Sequence, residues 1–244
     1  MEAAGKIAVV TGAARRVGRE IALTLAERGM HVAITYHRSQ AEAQQTLQEI
    51  EARGVRGMAV QGDITRRADI EAMVTGILDR FERIDILVNN ASNYYKTPFA
   101  TLTEEQWDDL VDTNLKGTFL MAKRVGDEML KAGGGKIINL ADWAGIRPYK
   151  DYIPYCVAKA GVIALTKALA KTLAPTVAVN AVAPGPVMLP EDFTEGERDA
   201  VRRATLLKRL GSPRDVAQTV LFLIEGSDFI TGATLVVDGG RLIA

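Results

Sequence analysis

The sequence predicts an α/β domain in which seven parallel strands form a doubly wound sheet with helices on both faces. Three observations lead there. Short runs rich in Val, Ile and Ala recur along the chain, longer amphipathic stretches separate them, and the alternation begins within the first thirty residues. Parallel strands joined by helical crossovers are covered on both sides, so their apolar runs are continuous rather than alternating.

The first run, Lys6–Val10, leads into a helical pattern from about Val17 to Arg28 that Gly29 would cap, and His31–Tyr36 completes a βαβ unit. Further runs fall at Val55–Gln61, Asp85–Val88, Lys136–Leu140, Val177–Val182 and Thr234–Val237. Helix-length segments near 40–53, 67–81, 103–131, 155–173 and 213–224 lie between them. No repeat, low-complexity tract or Ser/Pro linker interrupts the alternation, so one domain spanning 1–244 is expected. The irregular stretch is 184–205, which carries three of the eight prolines and reads as a lid or substrate loop.

Composition narrows the chemistry. Hydrophobic residues make up 48% of the 244 and charged residues 25%, enough apolar surface for a large core. Lys+Arg and Asp+Glu are both 30, so no net field draws the chain to nucleic acid or an anionic membrane, and neither partner is expected. Lys6, Arg15, Arg16, Arg19 and Arg28 break every early apolar run; neither a signal peptide nor a membrane span of roughly 18 residues can be drawn there, and a cytoplasmic location is expected. A lone Cys156 forms no internal disulfide or Cys-rich zinc site, and His31 and His37 lack metal-ligand spacing, so no metal is expected. Proton chemistry then falls to Tyr, Lys, Asp or Glu.

Thr11-Gly12-Ala13-Ala14-Arg15-Arg16-Val17-Gly18 lies where strand one turns into helix one, the place where a doubly wound sheet binds a dinucleotide. Glycine lets backbone approach a pyrophosphate, and the helix start points free N–H groups at negative charge. The end of strand two selects the cofactor. From Gly29 to Ala41 there is no Asp or Glu, and Tyr36-His37-Arg38-Ser39 offers a guanidinium and a hydroxyl to a 2′-phosphate, with Arg15 able to approach from the turn. NADPH is therefore expected over NADH. Tyr155 and Lys159 fall four apart on one helical face, where an ammonium can lower a phenol's pKa and the phenol can donate a proton.

With these motifs in order, the whole chain resembles the short-chain dehydrogenase/reductase family. The matches are Thr11-Gly12 to Gly18, Asp63, Asn89-Asn90-Ala91, Asn114, Tyr155 with Lys159, Asn180 to Gly185, Ile230-Thr231-Gly232, and Val237-Asp238-Gly239-Gly240. The resemblance implies a Rossmann fold, a homotetramer or homodimer, and NAD(P)-linked hydride transfer. It also implies that Asp63 and Ile64 bracket the adenine, that Asn90 and Ala91 lie along the ribose, that Lys159 binds the nicotinamide ribose, and that Asn114 holds a water in a proton relay. It sets Val17 with the turn, and Pro184, Gly185 and Val187 against the cofactor, although the Thr that often follows is missing.

Three departures narrow the resemblance. Arg16 stands where most members have the turn's middle glycine, Asp142 fills the slot of a catalytic serine, and Ser92 replaces a glycine and is followed by Asn93-Tyr94-Tyr95. With His37-Arg38-Ser39 they look like the pteridine reductases and their bacterial dihydromonapterin/dihydrofolate reductase relatives. That likeness implies a pterin-like small-molecule substrate whose C=N bond is reduced. Arg16 would contact pyrophosphate and pterin, Ser92 the ring, and Tyr94 its face, with Asp142 beside Tyr155. An ionised carboxylate cannot donate a hydrogen bond to a ketone, which fits Asp142 to a substrate bearing N–H groups or a ring nitrogen that must receive a proton. Two alternatives stay open: a carbonyl reductase for a ketone, 3-oxoacyl thioester or sugar, and an idle NADPH-binding sensor.

Overall fold

The computed structural model describes residues 1–189 and 193–244. Seven strands, β1 Ile7–Val10, β2 His31–Tyr36, β3 Gly57–Gln61, β4 Ile86–Asn89, β5 Gly135–Leu140, β6 Val177–Pro184 and β7 Thr234–Val237, form one sheet in the order β3-β2-β1-β4-β5-β6-β7. Every pairing is parallel, from Ile7 beside His31 to Pro184 beside Val237. The order reverses between β1 and β4, which opens a crevice beyond the carboxyl ends of those strands.

The helices are α1 Arg16–Glu27, α2 Gln40–Glu51, α3 Arg67–Phe81, α4 Glu104–Val111, α5 Gly117–Lys131, α6 Ile153–Leu173, α7 Glu195–Ala204 and α8 Pro213–Glu225. Two buried layers flank the sheet. Ile21 and Leu25 of α1 meet Val216, Val220 and Ile224 of α8 on one face, and Ile70, Met73 and Val74 of α3 meet Met121 and Val125 of α5 on the other. Apolar residues three and four apart on each helix supply these faces, and their burial drives the packing. Helix α6 is 21 residues long with a mean hydropathy of 1.4, so it is long and apolar enough to cross a membrane; in this fold it packs along β6 and turns Tyr155, Ala158, Lys159 and Val162 inward.

Two sequence expectations change. The segment 103–131 is two helices, since a wider π-type turn, Asp112–Lys116, separates α4 from α5. There the Asn114 amide donates to Leu110 O at 2.9 Å, and Asn114 O is taken by the Thr118 hydroxyl, so side chains compete for the ladder. Within 184–205, β6 runs to Pro184 and α7 occupies Glu195–Ala204, while residues 190–192 of the expected lid lie outside the described residues. Helix α7 buries no residue and so leaves no apolar stripe to read; a capping box, Thr194 with Glu197, marks its start.

Candidate active site

The glycine turn is shaped by close approach. Gly12 has φ 62°, and a Cβ there would sit 2.7 Å from Ala91 Cα; one on Gly18 would collide with the Asn90 amide and stand 2.7 Å from Gly12 O. Asn90 donates to Thr11 O at 2.9 Å and Gly12 O at 3.1 Å, and Thr11 Oγ1 accepts from the N–H groups of Asn90 and Ala91. Asn90 thus ties the turn to β4. Helix α1 begins with no side-chain cap and no acidic residue in its first turn, leaving its N–H groups to an anion.

Around this turn the cations are unspent. Arg15, Arg16 and Arg38 are exposed and make no ion pair among the described residues, whereas neighbouring Arg19 is held by Glu49 at 2.5 Å. Arg16 has φ 57°, the left-handed conformation that glycine adopts freely, so its side chain is presented at a backbone cost. Asp63 accepts from the Thr65 N–H and hydroxyl at 2.8 Å each, with His37 Nε2 at 3.9 Å. Partial burial pushes its carboxyl up, but Thr65, His37 and Arg66 together bring it below the usual range. Ser39 precedes α2 without capping it, and Val17 and Ile64 turn into the apolar layers. An uncapped helix start, a cradle that any Cβ would fill and three free guanidinium groups fit a dinucleotide bearing an extra phosphate.

At the other end of the crevice Tyr155 and Lys159 are buried, Asp142 is half-buried, and each has a hydrogen-bond partner within the protein. Asp142 follows β5, and its Oδ2 accepts from the Tyr155 hydroxyl at 3.0 Å. Oδ1 accepts from the Ala144 N–H at 2.7 Å and the Tyr149 hydroxyl at 3.2 Å. Burial raises the Asp142 pKa above the carboxylate range despite these donors and Lys159. Lys159 is buried, donates to Leu140 O at 2.9 Å and lies 5.6 Å from the Tyr155 ring centroid; desolvation pulls its ammonium down to about 8. The phenol of Tyr155 goes the other way from the sequence expectation. Burial and then Asp142 hold it well above the usual value, because the nearest charge is a carboxyl rather than the ammonium. In this arrangement Tyr155 is a protonated donor.

Asn114 is buried in the π-type turn, its amide spent on Asn93 and Leu110 and its carbonyl accepting from the Ser92 hydroxyl at 2.5 Å. Tyr94 lies flat on Tyr152 with centroids 4.7 Å apart and meets Tyr155 edge-on at 4.9 Å. On the far side Gly185 is pressed against Asp238, and Val187 packs on Gly211. Sequence reasoning missed Trp143, Tyr149 and Tyr152. A signal was present: five of the six tyrosines fall in 94–95 and 149–155, the two loops that enclose Asp142.

A glycine turn at the switch point of a doubly wound sheet, facing a Tyr–Lys pair on one helix, defines an NAD(P)-linked oxidoreductase. The chain belongs to the short-chain dehydrogenase/reductase family: a family described as enoyl-(acyl carrier protein) reductase matches residues 12–241. The 3-oxoacyl-[acyl-carrier-protein] reductase FabG of Staphylococcus epidermidis is 40% identical over 241 residues, covering 96% of this chain and 98% of the relative. A crystal structure from Sinorhizobium meliloti superposes with a TM-score of 0.94 at 33% identity, covering 99% and 98%. An actinorhodin polyketide ketoreductase with NADPH superposes at 0.92 and 35% identity, covering 97% of both chains. The first and third carry ketoreductase names and the second is described as a short-chain alcohol dehydrogenase, so the family is as expected while the narrower pteridine reductase likeness finds no support among them.

Proposed function

We propose that the protein is an NADPH-dependent reductase of a carbonyl compound, a ketone or a 3-oxoacyl thioester. The observation that carries this reading is the buried pair in which Tyr155 donates to Asp142 at 3.0 Å. The sequence argument against a ketone assumed an ionised Asp142. Burial shifts Asp142 toward the neutral acid, the form that donates a hydrogen bond as a serine does, so the carboxyl at this position does not exclude a ketone. The 40% identity to a 3-oxoacyl-[acyl-carrier-protein] reductase supports the same substrate class.

Bound NADPH would supply a hydride to the carbonyl carbon. Gly12, Arg16, Val17 and Gly18 would hold its pyrophosphate, His37, Arg38 and Ser39 with Arg15 its 2′-phosphate, and Asp63 and Ile64 its adenine. Asn90, Ala91, Ser92, Tyr155 and Lys159 would line the ribose and nicotinamide, with Pro184, Gly185 and Val187 on the far side. Tyr155 gives its proton to the substrate oxygen and takes one from Asp142, which becomes a carboxylate; Lys159 offsets that charge, and Asn114 holds the Ser92 loop beside it.

A second reading, reduction of a pterin-type C=N bond, is favoured by the flat wall of Tyr94 on Tyr152 next to Tyr155, which suits a planar ring between Arg16 and Ser92. NADPH consumption measured over 3-oxoacyl thioesters, simple ketones, dihydropterins and dihydrofolate decides between them. Turnover confined to thioesters or ketones supports the first reading; turnover confined to the pterins replaces it with the second. The proposal includes the expected cytoplasmic location and a homotetramer or homodimer. Exposed Trp107, Phe119 and Val157 on α4 to α6, and Phe222, Phe229 and Val236 near α8 and β7, supply two apolar faces for assembly. Light scattering that finds only the 26.4 kDa monomer at micromolar concentration overturns that part.

A further inference from the structure

Asp142 is held by more groups than a reductase needs to orient one tyrosine. Its two oxygens are treated unequally: Oδ1 accepts from the Ala144 N–H at 2.7 Å and from the Tyr149 hydroxyl at 3.2 Å, while Oδ2 accepts only from Tyr155 at 3.0 Å. From this we infer that Tyr149 is a positioning residue that fixes the acid proton of Asp142 on Oδ2, facing Tyr155. A carboxyl oxygen that already accepts from two donors has both lone pairs in use, so a proton arriving at the carboxyl goes to the other oxygen. On Oδ2 it points at the Tyr155 oxygen, where it replaces the proton that Tyr155 gives away. On Oδ1 it would point toward Tyr149 and Ala144, and Tyr155 would keep its proton.

Tyr149 is itself fixed for this task. Its ring packs edge-on against Trp143 at 5.3 Å and Tyr152 at 5.9 Å, its N–H donates to Cys156 Sγ at 3.3 Å, and the Arg241 guanidinium sits 5.5 Å over Trp143 behind it. The other titratable groups that face Asp142 are Tyr155, Cys156 and Lys159 on α6 and Tyr94 on the loop after β4. None of these reaches Oδ1, so Tyr149 is the one side chain among the described residues that discriminates between the two oxygens.

The inference rests on the proposed reductase reading, and its test separates the two. Tyr149→Phe keeps the ring contacts and removes one donor to the carboxyl. The ionised form loses a hydrogen bond, so Asp142 must protonate at a higher pH than in the parent protein. Infrared titration of the protonated carboxyl band, identified by its loss in Asp142→Asn, reads this without turnover. The midpoint is expected to rise by about half a unit to one unit, the size of one hydrogen bond in pKa. In turnover, kcat falls several-fold at low pH as protons settle on Oδ1, its high-pH decline moves up by the same amount as the infrared midpoint, and KM and the NADPH dissociation constant stay put. Tyr149→Leu carries the same expectation should the Phe variant not fold. An unchanged or lowered midpoint overturns the role of Tyr149 even if turnover drops. A raised midpoint in a protein that reduces none of the panel sinks the reductase reading and leaves the proton placement standing.

Discussion

At the β1 to β2 end of the crevice Arg15, Arg16 and Arg38 stand exposed with no acidic partner among the described residues, whereas at the β5 to α6 end Tyr155 and Lys159 are buried, Asp142 is half-buried, and each is bonded to another of them or to backbone. The first end is built for a charge that arrives from outside; its own groups gain little from one another in water. The second shields its groups from water, and desolvation there raises the Asp142 carboxyl and lowers the Lys159 ammonium, so both move away from their charged forms. Under the proposed function, one end is expected to govern affinity for the cofactor and the other the rate, so variants at the two ends are expected to fail in different ways.

The largest effect is expected at Asp142. Asp142→Asn keeps the shape and removes the acid, so kcat is expected to drop by ~10²–10⁴-fold with an unchanged NADPH dissociation constant. Steady-state kinetics together with a fluorescence titration of NADPH reads both. A loss of affinity comparable to the loss of rate would join the two ends and end the comparison.

Next comes Lys159, whose ammonium is pulled down to about 8 from an ordinary 10.5 by desolvation. Between those values the unfolded chain holds a proton that the folded protein lacks, so stability rises with pH across that window. Over it the parent protein is expected to gain up to about 3 kcal/mol relative to Lys159→Met, which has no proton to release. Denaturant unfolding of both proteins at pH 7.5, 9 and 10.5 measures the difference; parallel stability curves would show that burial does not depress this lysine.

Arg38 tests the exposed end. A charge-assisted contact to a 2′-phosphate is worth about 1.5–3 kcal/mol, so NADPH is expected to bind at least about tenfold more tightly than NADH, and Arg38→Asp to reverse the order. Equal dissociation constants for the two cofactors in the parent protein would leave Arg38 as a solvated loop cation.

The two ends also differ in how far the sequence discloses them. The exposed end is local: Gly12 to Gly18 and His37 to Ser39 each follow a strand, and β2 and β7 fall where their apolar runs begin and stop. Spacing alone put Tyr155 and Lys159 on one face of α6. The direction of the Tyr155 shift could not be read that way, because it depends on depth and on Asp142, which arrives from a different strand. Tyr149 was hidden for a related reason. It lies in a loop with no periodicity, and its bond to Asp142 closes across seven residues of irregular chain. The break at Asp112–Lys116 was equally silent, since apolar residues on either side keep helical spacing.

Arg16 carries the smallest expected effect and the sharpest division between affinity and stability. A non-glycine residue in the left-handed region costs about 1–2 kcal/mol, and φ at Arg16 is 57°. Arg16→Gly removes that cost but gives the unfolded chain more freedom, worth about 0.4–1 kcal/mol against it. The free protein is thus expected to become more stable by up to about 1 kcal/mol, read as a higher Tm without cofactor. Binding should move the other way, because the variant takes a free guanidinium from the turn: NADPH is expected to dissociate several-fold more readily, with a steeper loss at low salt, where the missing charge is least screened. Opposite signs in the two measurements would mean that strain at Arg16 is retained for the cofactor. A gain in stability with unchanged NADPH affinity would instead make the arginine a tolerated replacement for glycine, and its assignment to pyrophosphate and substrate would fall.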